Sequence, residues 1–208
     1  MVRSIEPLGE GSSLTKAHHP ELQRNGHHIK LNRCYISQKK RYKKVMAKRI
    51  VTKIGDIFCI EIDARYKCFF QYIANDFEQL NSSVIRVFKK DYPLCYEPII
   101  DEIVGDDIRF YAHTILRAGI ADNIWYKVGK YGKVGDVNNL FFRNTNDELV
   151  IPMPKVSYDW YVWKIGCESF RIGQLNDTYK KAEIGTVFHY SQIIKRITTG
   201  NYSIPYPE

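Results

Sequence analysis

Beyond residue 50 the chain carries two histidines, His113 and His189, and neither has an acid or a thiol at a spacing that would make it a general base. His113 lies in a stretch that reads as a strand, where a lone histidine is ordinarily a hydrogen-bonded core or surface residue. To act as a base it would need an orienting partner from elsewhere in the chain. Asp106 and Asp107 form an acid pair, but adjacent residues on a strand point to opposite faces, and beside Gly105 the two read as a solvated turn tip. Cys167 follows Gly166, and an activated thiolate there would need a basic neighbour that the sequence does not place. The chain contains no phosphate loop, dinucleotide fingerprint, zinc-protease helix, EF-hand loop or nucleophile elbow. These residue types point to binding rather than to turnover, with no catalytic residue and no cofactor expected.

A metal site is not expected either. Cys34, Cys59, Cys68, Cys95 and Cys167 include no C-x-x-C pair, and no Cys or Asp completes a spaced set with His18, His19, His27 and His28. An odd, scattered set of cysteines fits a reducing compartment better than a disulfide framework. Cys59 and Cys68 sit in apolar runs, where they read as small buried hydrophobes. Signal-peptide patterning and apolar runs approaching 18 residues are both lacking, so the expected location is cytoplasmic, with no membrane partner.

The elements that would position any site are unevenly distributed. Residues 1–50 hold twelve Lys or Arg against three Glu, about +9, which leaves the other 158 residues at about -1 of the chain's formal +8. The basic segment, with its Lys39-Lys40-Arg41-Tyr42-Lys43-Lys44 run, offers few groups to offset the entropy of ordering it. It reads as a flexible extension, or as sequence upstream of a true start at Met46. Residues 51–208 have the size of a single domain.

Within that domain, short runs rich in β-branched and aromatic residues alternate with Gly, Asn and Asp turns. Strands are expected at 57–62, 66–74, 84–88, 108–116, 140–143, 158–165 and 170–172, with a further interrupted strand around Pro98 in 96–104 and a polar loop over 75–83. One helix stands out, Tyr190 to Ile197, with Ser191 as N-cap, Ile193, Ile194 and Ile197 on one face, and Gly200 as the stop. The expected fold is mainly β, a small barrel or a strongly bent antiparallel sheet with one short C-terminal helix. The motif Lys53-Ile54-Gly55-Asp56-Ile57 recurs as Lys133-Val134-Gly135-Asp136-Val137 and, more loosely, as Glu183-Ile184-Gly185-Thr186-Val187, which reads as repeated turn chemistry.

Trp160-Tyr161-x-Trp163 directs large rings to both faces of one strand, so one face packs inward while the other needs a cover from a second sheet, the terminal helix or a partner. Trp160 and Trp163 are therefore candidate binding residues. Lys130 and Lys133, with Lys127, form the spaced basic patch of the domain. A β-barrel nucleic-acid module is the alternative reading, through base stacking and these lysines. Specific nucleic-acid binding is not expected, because the domain's near-neutral charge offers little phosphate affinity.

Several of these residues occur in an order that resembles a known family. Lys53-x-Gly55-Asp56-Ile57-Phe58-x-Ile60 opens a hairpin, and Tyr111-Ala112-His113-Thr114, Gly119 and Trp125-x-x-Val128-Gly129 occupy the middle. Tyr161-x-Trp163-x-Ile165 follows, and Ile184-Gly185-x-Val187 leads to Ile193-x-x-Arg196-Ile197-x-Thr199-Gly200. Over about residues 50–202 this resembles the immunity protein 26 family of bacterial polymorphic toxin systems. The resemblance implies an inhibitor that binds a cognate toxin and blocks it by occlusion, with no catalytic residues to carry over. Complementary charge would then set specificity, with basic residues answering an acidic toxin face, or Asp106, Asp107, Asp147 and Glu148 answering a basic one.

Overall fold

The computed structural model describes residues 51–207. The expected basic extension, the alternative start at Met46, the four-histidine cluster and Cys34 all lie outside the described residues.

The hydrophobic runs become strands because their residues are buried on both faces rather than one. The first, β1 (Asp56–Ile62), is buried at every position but Glu61. Its period of two sorts Phe58, Ile60 and Ile62 into one apolar cluster and Ile57 and Cys59 into another on the opposite face. It pairs antiparallel with β2 (Tyr66–Asp76), whose Phe70 stacks on Phe58 at 5.2 Å between ring centroids. Further pairings come from β3 (Ser82–Phe88), the two-residue β4 (Tyr92–Pro93), β5 (Ile108–Thr114) and β6 (Trp125–Lys130). The second sheet is built from β7 (Phe141–Thr145), β8 (Trp160–Lys164) and β9 (Phe170–Gly173). Two very short strands, β10 (Glu183–Ile184) and β11 (Val187–Phe188), complete the two sheets.

The larger sheet has seven strands in the order β11-β5-β3-β2-β1-β6 with β4 also on β2, and the smaller has the order β10-β7-β8-β9. All pairings are antiparallel except β11 on β5 and β10 on β7, which are parallel, so both sheets are mixed. The fold is mainly β, but neither sheet of the described residues closes into a barrel. β6 and β11 remain the two ends of an open order.

Four residues carry the chain from one sheet to the other. Glu183 and Ile184 pair with Phe142 and Arg143 in the small sheet, and Val187 and Phe188 pair with His113 and Thr114 in the large one. Gly185, at the crossing, lies against Trp163, and a Cβ there would overlap the indole ring. Its N–H donates to the Arg143 carbonyl at 2.8 Å. Only glycine lets the crossing strand approach that closely.

Among the described residues, three helices cover the sheets. The first, α1 (Ile100–Val104), replaces the interrupted strand expected around Pro98 and buries Ile103 on the Ile57 face. The second, α2 (Leu116–Ala121), occupies what the sequence reads as the end of a strand and an ambiguous stretch, and packs Leu116 beside Trp125. A short 3-10 turn spans Asn146–Leu149. The third helix, α3 (Tyr190–Thr199), buries Ile193 and Ile197 in the largest cluster and ends at Gly200 with φ +83°, as its sequence signals predict. Its N-cap is His189 rather than Ser191. The imidazole Nδ1 accepts the Ser191 N–H at 3.4 Å, which places the cap two residues upstream of the expected serine.

Of the three Gly-Asp-type motifs, Gly55 and Gly135 share a left-handed backbone (φ +95° and +83°), whereas Gly185 does not. Two are turns and the third is the crossing between sheets. Cys59 and Cys68 are buried as expected, and burial pushes the Cys59 thiol up to about 12.

Candidate functional site

The tryptophans singled out in the sequence are interior residues. Trp160 and Trp163 are 0% and 1% exposed, so neither ring presents a surface to a partner. Both faces of β8 are covered from within the chain. Trp163 packs with Phe142, Ile73 and Val84 between the sheets, while Trp160 lies under the Arg143 guanidinium (5.1 Å) and edge-on to Tyr206 (5.7 Å).

Trp163 instead belongs to a buried polar node that joins the sheets. Asp76, the last residue of β2, accepts the Trp163 indole N–H at 2.9 Å and the Gly166 backbone N–H at 3.1 Å, and its Oδ2 lies 3.0 Å from His113 Nε2. Burial pushes the Asp76 carboxyl up, but these hydrogen bonds outweigh it and hold the group below its usual range. His113 thus has the orienting carboxylate that a general base requires, supplied from the stretch expected to be a polar loop. Both side chains are fully buried, however, and the ring packs against Phe142 at 4.1 Å. The pair itself lies within the large sheet, on β2 and β5, and the bonds of Asp76 to Trp163 and Gly166 are what staple that sheet to the chain around β8.

The charged candidates are not brought together. Asp106 accepts the Lys90 N–H at 2.6 Å and the Asp107 N–H at 2.8 Å, and Asp107 lies 3.9 Å from Lys89, so the pair forms a turn leading into β5. Lys130 and Lys133 are exposed at and just beyond the end of β6, with β3, β2 and β1 lying between that strand and β5. Lys127 is committed to the buried Asp56 at 2.6 Å, which removes it from the basic patch. Asp147 serves a loop base described below, and the side chain of Glu148 lies outside those described. Among the described residues no three His, Cys, Asp or Glu converge on a possible metal position, and no helix is long and apolar enough to cross a membrane.

Two features that the sequence reading passed over stand out in their place. The first is the loop between β7 and β8. Its base is fixed by Ser157, itself 1% exposed, whose hydroxyl lies 2.5 Å from the Thr145 hydroxyl, donates to Asp147 at 2.6 Å and accepts the Asp159 N–H at 3.1 Å. The Ser157 carbonyl accepts the Trp160 indole N–H at 2.9 Å, which ties the loop to the core. Above this fixed base, Val150, Ile151, Val156 and Tyr158 face solvent, with Ile151 95% exposed.

The second is a cavity of about 460 Å³ beside the crossing strand. Arg143 from β7, Lys180 and Lys181 from the segment before β10, and Arg196 from α3 bring four cations to its wall, with Glu183 the one carboxylate among the lining residues. Glu183 is already engaged, accepting from Arg196 at 2.7 Å and from the Tyr111 N–H at 2.9 Å. Tyr202 and Tyr206 also line it. Burial pulls the Arg143 pKa below the usual arginine value and pushes the Tyr202 phenol well up.

No family model, curated protein or solved structure matches this chain. Its functional reading rests on its own residues. Neither feature has a local sequence signature, because the loop's hydrophobes are too few to form a period and the cavity's cations come from three separate elements.

Proposed function

We propose that this protein is an immunity protein, a stoichiometric inhibitor that binds a cognate bacterial toxin and occludes it. The observation that carries the reading is the loop between β7 and β8, which holds four large apolar side chains in solvent above a base fixed by the buried Ser157. Exposed hydrophobes on a preorganised base are the physical signature of a protein-docking surface, since little ordering cost remains to be met on association. The ordered resemblance to the immunity protein 26 family supports a toxin as the partner. Its residues fall at the turn into β1, on β5, β6 and β8, at the crossing beside Gly185 and along α3, all positions that determine this fold.

The test is co-expression with the product of the neighbouring toxin-like gene, scored by co-purification and by rescue of growth. The intact chain should do both, and the double variant Ile151→Asp, Tyr158→Ser should lose both while keeping its melting temperature. Rescue that survives this double change would remove the loop from the interface. Failure of the intact chain to bind or protect against any neighbouring toxin-like product would remove the immunity reading itself.

A further inference from the structure

We infer that the cavity between β7, the 180–184 segment, the end of α3 and the C-terminal tail binds a small phosphate-bearing anion. This inference is independent of the toxin reading and concerns a different part of the surface chemistry.

Arg143 is the least satisfied cation of the cavity wall. Its Nε is buried without a hydrogen-bond partner, and no carboxylate among the described residues pairs with its guanidinium, which lies over the Trp160 ring instead. A partly buried cation that has no counterion among the described residues gains from any anion that completes it. The neighbouring cations make the deficit larger. Arg196 has Glu183 and Lys180 has Asp177, but Lys181 has no acidic partner among the described residues. The wall therefore carries a surplus of positive charge, with a planar guanidinium whose donor fork suits two oxygens of one oxyanion.

The volume narrows the ligand class. About 460 Å³ is within the range of small-molecule sites and more than an inorganic oxyanion fills. Ile184, Ile204 and the rings of Tyr202 and Tyr206 supply walls for an organic body attached to the charged group. A single acidic side chain from a partner protein would leave most of that space as water, so a small free molecule matches the site better.

The test is calorimetric titration of the full-length chain at low salt with inorganic phosphate, adenosine monophosphate and citrate in parallel. Trp160 fluorescence serves as a second readout, because that ring lies under Arg143. Phosphate-bearing ligands should bind in the millimolar range or tighter, lose affinity as salt rises, and bind about tenfold more weakly to Lys181→Glu and to Arg143→Gln. Lys181 is exposed, so its variant decides the matter even if loss of Arg143 unfolds the protein. Tighter binding of the nucleotide than of phosphate identifies a phosphate ester as the ligand, whereas equal binding identifies free phosphate. The inference is overturned if no phosphate compound binds, if affinity is the same in the variants as in the parent, or if citrate binds where phosphate compounds do not.

Discussion

Asp76 shows how much one side chain can organise. It accepts from Trp163 of the small sheet and from Gly166 in the turn that follows β8, meets His113 of the large sheet, and is itself fully buried. Replacing it with Ala should cost about 3 kcal/mol, because an indole N–H and a backbone N–H lose their acceptor in the interior; urea denaturation measures this directly. The sign of the pH effect follows from the depressed carboxyl. A group whose pKa is lower in the folded protein stabilises it above the unfolded value, near pH 4, and that contribution fades as pH falls through the folded value. The melting temperature of the parent should thus drop more steeply below about pH 4 than that of Asp76→Asn, which lacks the titrating group. None of this is legible locally. Asp76 reads as part of a polar loop because its partners lie 37, 87 and 90 residues away. The tryptophans gave a partial signal, since a buried indole N–H needs an acceptor, but not which acceptor.

At the level of elements, the longer apolar strands were legible, whereas β4, β6, β10, β11 and the short helices were not. Runs such as Ile57-Phe58-Cys59-Ile60 carry enough β-branched and aromatic residues to announce themselves, and α3 has a complete set of apolar spacing and glycine stop. By contrast, α1 has five residues, about one and a half turns, too few for a helical period to appear against the neighbouring Pro98. Its helicity comes from burying Ile103 against the sheet. The crossing at Gly185 is likewise a tertiary fact, set by where Trp163 lies. Gly185→Ala should destabilise by about 1–3 kcal/mol through overpacking, with a change in the near-ultraviolet circular dichroism of the tryptophans. The far-ultraviolet spectrum should stay unchanged, since both sheets keep most of their pairings.

For the whole molecule, the three apolar clusters of the described residues draw on positions spread from 57 to 204. Residues 51–208 have the size of a single domain, so a chain of residues 46–208 should show a cooperative thermal transition of its own, and loss of that transition would assign the basic segment a structural role. A mainly β fold followed from composition and turn spacing, yet closure did not. Whether first and last strands of a sheet meet depends on pairings between distant residues, and here the parallel additions of β10 and β11 leave both sheets open. The chain's overall basicity resides in residues 1–50, so it does not report the local surplus of cations around Arg143 and Lys181.

The crossing strand also sets an order of events during synthesis. Residues 183–188 supply an edge to both sheets, β10 against β7 and β11 against β5, so neither sheet is finished until that stretch has left the ribosome. A nascent chain halted just short of Glu183 would carry two open strand edges at once, each a template for pairing with another chain. Six late residues cover both of those edges together, with the two-residue strands β10 and β11 left as the outer strands.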